Sequence, residues 1–276
     1  ISKCAIAAMQ LRLPIVDIMM SRSSWSITEQ QVRIAGGPFA RKQILNDIKS
    51  NKPFLLLHLA GDPLDPDQKY LLQSSDLIGG FNYTFVYACY PARLRANDKM
   101  YADSAIAIAK NMAAGDTAIG DAGSWFVQHF DGLSTDQPFF GKGACPQIAQ
   151  KDTDLISIPV AAKKDKQLYE SSCWFLLGNE NYRSPFAILD LLDSSGQVIG
   201  NVNMLTKECT DNKGLWFRGA VYLEVPLRCK NVRCHLVNEP GNTYKVMDEL
   251  MLRPADALII SKDANGKVLA NNHLLN

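Results

Sequence analysis

Four histidines and a thin scatter of carboxylates limit what this chain of 276 residues can catalyse. His58 lies inside an apolar run, the place of a strand-end catalytic residue in an α/β sheet and equally that of a satisfied core histidine. His129 alternates with Trp125 and Val127 as a strand residue would, while His235 and His273 have no neighbouring ligand pattern. A glycosidase needs two carboxylates held about 5 to 10 Å apart on rigid strand ends. Asp17, Asp62, Asp76 and Asp121 are the only plausible entries; glutamates are scarce before residue 170, and Glu29 reads as the third-position partner of a helix cap at Ser26. There is no Gly-x-Ser-x-Gly elbow, phosphate loop or dinucleotide fingerprint, and Gly36-Gly37 and Gly79-Gly80 read as turns. The seven cysteines form no Cys-x-x-Cys pair, which argues against zinc. Cys229 and Cys234 would face opposite sides of one strand, so buried free thiols are expected. A complete active site within the chain is not expected.

Those residues must be positioned by a chain long enough, and at 47% hydrophobic apolar enough, to bury two ordinary cores. Its 29 basic and 28 acidic residues are interspersed and leave a net charge of +1, no footprint for nucleic acid or an anionic membrane. No apolar stretch reaches the roughly 20 residues of a spanning helix. A start at Ile1, with no Met and no charged-then-apolar leader, suggests an excised part of a longer protein.

Before residue 120, helical and strand patterns alternate. Residues 2–11, 38–50 and 99–113 read as helices and 14–19 as extended. Residues 54–59 form a continuous apolar run, expected as a strand buried on both faces of a parallel sheet. Asp65-Pro66-Asp67-Gln68 has the signature of a capped helix start. With residues 76–78 and 81–90 extended, the prediction for 1–120 is a small or incomplete α/β domain, with a seam at 115–124. From Trp125 the period changes to two. Strands are expected at 168–176, 186–192, 197–204, 215–225, 232–238 and 244–253, separated by turns such as Asp193-Ser194-Ser195-Gly196. The expected organisation is thus 1–120, then an all-β sandwich over 125–254, then a C-terminal extension over 255–276.

The pieces Phe130-Asp131-Gly132, Pro138-Phe139-Phe140-Gly141-Lys142-Gly143-Ala144, the aromatic strand 169–175, the run 189–196, Gly214-Leu215-Trp216-Phe217-Arg218 and Met247-Asp248-Glu249-Leu250 occur in one order. Together they resemble the galactose-binding-like jelly roll of many carbohydrate-binding modules, over nearly half the chain. The resemblance implies a structural calcium between an acid of the opening segment and one of the closing strand, here Asp131 and Asp248. It also implies sugar recognition by aromatic rings with amides and charges beside them. The candidates are Tyr182, Arg183, Asn179 and Asn181 in the polar stretch 178–185, with Trp174, Trp216, Tyr222 and Arg218 elsewhere. Tyr182 is favoured because an aromatic in a polar loop has less reason to be core, and Trp216 is disfavoured because the matching tryptophan is usually core.

A further segment, residues 5–17 with Met20-Ser21-Arg22-Ser23-Ser24-Trp25, resembles the extracytoplasmic tails of multi-spanning bacterial membrane proteins that act on sugars. The resemblances imply an extracytoplasmic, non-catalytic carbohydrate-binding or accessory region of a larger glycan-handling protein. Its partner would be a carbohydrate or a neighbouring catalytic domain. The alternatives are a C-terminal fragment of a glycoside hydrolase and the soluble domain of a membrane glycosyltransferase-like protein.

Overall fold

A computed structural model describes residues 33–120, 123–133, 135, 137–146, 153–177, 186–205, 211–237 and 244–275. The chain divides into two compact units, Ile1–Ser104 and Ala105–Asn276.

In the first unit a short 3-10 turn (Arg33–Ala35) precedes α1 (Ile44–Asp47), β1 (Phe54–Leu59), α2 (Pro66–Gln73), β2 (Asp76–Phe81), β3 (Thr84–Cys89) and α3 (Pro91–Lys110), within which the division falls. The start of α2 follows its sequence signature. Asp65 Oδ1 accepts from the Gln68 backbone N–H at 2.7 Å, and Gln68 Oε1 accepts from the Asp65 N–H at 3.2 Å. The expected helix over 38–50 is reduced to the four residues of α1, and the helix expected from Lys99 begins at Pro91, whose fixed φ suits a first helical position.

The expected parallel layer is not present among the described residues. The sheet has order β1-β3-β2 with both pairings antiparallel, and β2 and β3 are joined by a two-residue turn. Parallel pairing would need a long crossover between adjacent strands, which two residues cannot provide. Nor is β1 buried on both faces: it alternates between half-buried and exposed positions, and Phe54 and Leu56 pack against the core of Leu45, Tyr70, Leu71, Cys89 and Leu94.

The second unit is built from antiparallel strands. In chain order these are β4 (Thr117–Ile119), β5 (Phe126–Gln128), β6 (Cys145–Pro146), β7 (Thr153–Pro159), β8 (Gln167–Leu177), β9 (Phe186–Leu192), β10 (Val198–Leu205), β11 (Asp211–Lys213) and β12 (Trp216–Val225). Then follow β13 (Asn231–Val237), β14 (Tyr244–Pro254), β15 (Ile259–Lys262), β16 (Val268–Ala270) and β17 (His273–Leu274). One sheet has order β10-β9-β13-β7, and a second has order β11-β12-β8-β14-β5 with β6 also on β14. Ala187, Leu189, Met204, Val232, Cys234 and Leu236 of the first share a core with Tyr169, Cys173, Phe175, Phe217, Met247, Leu250 and Leu252 of the second. Two sheets that each turn one apolar face inward make a β-sandwich.

Residues 255–276 are not a mere extension. They form β15, β16 and β17, and β15 pairs with β4 in a third sheet of order β17-β16-β15-β4. Leu269 and Leu274 pack with Phe139, Phe140 and Trp174, and Ala257 and Ile259 pack with Met251, so this segment closes over the outward face of the second sheet. An amphipathic strand pattern needs only one covered face; here the remote C-terminal residues cover the other as well.

Candidate functional site

Among the described residues, no other sheet of the second unit is paired to the β10-β9-β13-β7 sheet, whose one face packs into the shared core. Along β13, Val232, Cys234 and Leu236 are buried while Asn231, Arg233, His235 and Val237 are half-buried on the opposite side, the period of two expected of a half-covered strand. Register then aligns the outward polar residues of four strands. Asn201 of β10 faces Asp190 of β9, Asp190 faces Arg233 of β13, and Arg233 faces Ser157 of β7. With strands roughly 4.8 Å apart, this row crosses about 14 Å of surface. A second row begins with Asn203, passes Ile188 and reaches His235.

Charge is matched within the row. Arg233 Nη2 donates to Asp190 Oδ2 at 2.7 Å, and His235 Nδ1 lies 3.6 Å from the same oxygen, too far for a hydrogen bond. Asn201, Asn203 and Ser157 are exposed and offer both donors and acceptors, Arg233 is half-buried and offers only donors, and Asp190 is buried and accepts from Arg233. Such a row can read several hydroxyl groups along an extended ligand by hydrogen bonding. Its members were singled out by no local motif: each is an ordinary polar residue on a strand, and only register brings them together. The available signal was the alternation in Asn231-Val232-Arg233-Cys234-His235-Leu236-Val237.

The residues expected from the sequence fare differently. Asn179, Asn181, Tyr182 and Arg183 lie outside the described residues. Trp174 is not a sugar platform. It is completely buried, its ring stacks on Phe139 at a centroid distance of 4.0 Å, and its Nε1–H donates to the Asn272 carbonyl at 2.9 Å. No face of the ring is left for a pyranose. Trp216 is half-buried in the same aromatic cluster, and Tyr222 is half-buried on β12. Arg218 is buried and engaged by Glu170 and by the carbonyls of Asn271 and Asn272.

Asp131 and Asp248, expected to share a calcium, each accept backbone N–H groups. Asp248 Oδ2 accepts the backbone N–H groups of Phe139 (2.9 Å) and Phe140 (3.1 Å), and its Oδ1 accepts that of Glu249 (2.8 Å). Asp131 Oδ1 accepts the Lys142 N–H at 2.6 Å, beneath Gly141, where a Cβ would stand 2.4 Å from that oxygen. Oxygens already facing N–H donors hold loops closed and are poorly placed to ligate calcium, which needs about six to eight oxygens. Among the described residues no group of three His, Cys, Asp or Glu side chains could hold a metal.

Beside Asp248, Glu249 is buried at a β-bulge with φ 56°, and both its oxygens lie within 2.9 Å of His129 Nδ1. Burial raises the Glu249 carboxyl, and burial with the adjacent Glu249 charge raises Asp248. Burial alone would lower His129, but the Glu249 carboxylate outweighs it and holds the imidazole above its ordinary value.

The glycosidase candidates do not assemble among the described residues. Asp62 is exposed, Asp76 is ion-paired with Arg93 at 2.6 Å, and Asp17, Asp121 and Glu29 fall outside the described residues. His58 is half-buried and stacked with Phe85. The expected free thiols are present at Cys89, Cys145, Cys173, Cys229 and Cys234, all buried, while Cys4 and Cys209 are outside the described residues.

No family model matches the chain, and no curated protein matches it. Among solved structures, it is similar over 52% of its length to 88% of the C-terminal family 22 carbohydrate-binding module of Clostridium thermocellum Xyn10B, at 13% identity and TM-score 0.27. It is similar over 49% to 96% of the CBM22-1 xylan-binding domain of Paenibacillus barcinonensis Xyn10C, at 14% identity and TM-score 0.26. A bacteriophage CBA120 tailspike enzymatic domain matches over 52% of this chain at 10% identity and TM-score 0.26, and the chain spans 19% of that protein. At such scores no residue role passes from these proteins to this one.

Proposed function

We propose that the β-sandwich of this chain is a non-catalytic carbohydrate-binding region of a larger glycan-handling protein, and that it works outside the cytoplasm. The observation that carries the reading is the row Asn201–Asp190–Arg233–Ser157, about 14 Å long on one sheet face, in which Asn201 and Ser157 are exposed and the half-buried Arg233 between them is held by the buried Asp190. A glycan chain is a ligand of matching form, extended and studded with hydroxyls. The location follows from the ligand, since polymeric glycans are encountered there; deep burial shields the five described thiols from oxidation. No described helix is long and apolar enough to cross a membrane.

Affinity electrophoresis of the whole chain through gels containing soluble xylan, galactomannan or hydroxyethylcellulose tests the reading. Arg233→Ala and Asn201→Ala should each weaken the retardation, Arg233→Ala by roughly tenfold or more in Kd, because hydrogen bonds to charged groups contribute about 1.5–3 kcal/mol. Retardation unchanged in both variants would remove the row from the function.

A further inference from the structure

We propose that the β2–β3 hairpin tip, in the first unit, is a second and separate carbohydrate contact, at which Phe81 and Tyr83 stack against pyranose rings. Tyr83 is 84% exposed and Phe81 is 76% exposed, the highest values among the exposed large hydrophobic residues described. Side chains of this kind usually gain by burial, and the described residues of the unit leave these two exposed.

The backbone beneath them is itself unfavourable for the residue it carries. Asn82 and Tyr83 are the two central residues of the turn, with φ 44° and 65°, between the paired Phe81 and Thr84. A two-residue turn with positive φ at both positions favours Asn followed by Gly. Asn82 fits that preference. Tyr83 stands where glycine would be free of strain, and a bulky L-residue there costs about 1–2 kcal/mol. A strained residue that the described residues leave unpacked points to use of its side chain.

The same end of the sheet supplies polar partners. The Ala60 N–H donates to the Tyr83 carbonyl at 2.6 Å, which draws the turn of residues 59–62 alongside the tip, and that turn ends in the exposed Asp62. Exposed aromatic rings, an exposed amide at Asn82 and an exposed carboxylate match a sugar, whose C–H face stacks while its hydroxyls hydrogen-bond. An anionic lipid surface fits less well, because residues 59–62 and 81–84 include an acid and no Lys or Arg. The inference does not rest on the polar row of the sandwich, which belongs to the other unit.

The decisive variant is Tyr83→Gly, since glycine suits the turn and the fold should survive the change. With the whole chain run through gels of soluble xylan, galactomannan or hydroxyethylcellulose, wild type should be retarded in at least one. There, Tyr83→Gly should weaken binding by roughly tenfold, with a Tm equal to or above that of wild type, and Phe81→Ala should weaken it similarly. A lowered Tm in Tyr83→Gly would show that the ring packs, and would overturn the proposal. So would unchanged retardation in both variants, a wild type retarded in none of the gels, or Tyr83-dependent binding to phosphatidylcholine vesicles instead of the polysaccharides. Loss in Arg233→Ala with Tyr83→Gly unaffected would overturn this proposal alone and leave the sandwich reading standing.

Discussion

The indole Nε1–H of Trp174 donates to the backbone carbonyl of Asn272, 2.9 Å away and 98 residues later in the chain. That bond ties the C-terminal strands to the outward face of β8 and turns a ring expected to meet sugar into part of the interior. Replacing it by Trp174→Phe keeps an aromatic ring but removes the donor and some volume. The expected loss is about 1–3 kcal/mol, read by chemical denaturation, with polysaccharide retardation unchanged. Impaired retardation in a stably folded Trp174→Phe would return the residue to the binding surface.

Glu170 makes a stronger tie on the same face. It is buried between Arg218 and Arg253, and both guanidiniums contact its carboxylate. Burial alone would raise this carboxyl, but Arg253 and then Arg218 outweigh it and hold it at about 2. Glu170→Gln leaves two buried cations without their counter-charge and should cost about 3–5 kcal/mol. A loss below 1 kcal/mol would mean that the arginines are held by the carbonyls around them.

The same network fixes the direction of pH dependence. Burial and then Arg218 push His273 down to about 4, so between pH 6.5 and 4 the unfolded chain takes a proton that the folded chain refuses. Its contribution to stability is present above 6.5 and lost as pH falls through 4. Glu170 acts lower, its contribution being lost as pH falls from 4.5 to about 2. His129 runs the other way, because its raised value favours the fold at low pH and that contribution is lost as pH rises. Comparing His273→Gln with wild type isolates one group: the fall in Tm between pH 6.5 and 4 should be shallower in the variant. Parallel curves would rule out His273 as a source of the slope.

Calcium should have no effect on the melt. Asp248 uses both carboxylate oxygens to hold backbone N–H groups of residues 139, 140 and 249, so Asp248→Asn should destabilise equally in chelator and in millimolar calcium. A wild-type Tm raised by calcium, with the rise absent in Asp248→Asn, would establish the ion site.

Fragment limits test the third sheet. Residues 125–254 lack β4, β15, β16 and β17, and so leave Trp174, Met251 and the Arg218–Glu170–Arg253 group uncovered. A fragment of residues 111–276 should melt cooperatively, and one of residues 125–254 should bind a hydrophobic dye and melt broadly. Equal cooperativity of the two would show that the third sheet is an accessory.

The sequence by itself determined the features that depend on a few neighbouring residues. The strand Phe186–Leu192, the capping box at Asp65 and the turn at Asp193, whose Oδ1 accepts the N–H groups of Ser195 and Gln197, all follow from local period, cap and turn chemistry. Period also divides each strand into two faces. It does not say what covers them. Only the tertiary structure decided that Trp174 and Glu170 lie under residues 255–276, and that Asp190, Arg233, Asn201 and Ser157 form one row. The first depends on a segment about a hundred residues away returning to the sheet, the second on register among four strands, and neither is encoded within a window of adjacent residues. The continuous run of β1 shows the same limit from the other side: its apolar sequence suits burial on both faces, yet Leu55, Leu57 and Leu59 are exposed because its sheet is three antiparallel strands with apolar packing on the Phe54 and Leu56 side.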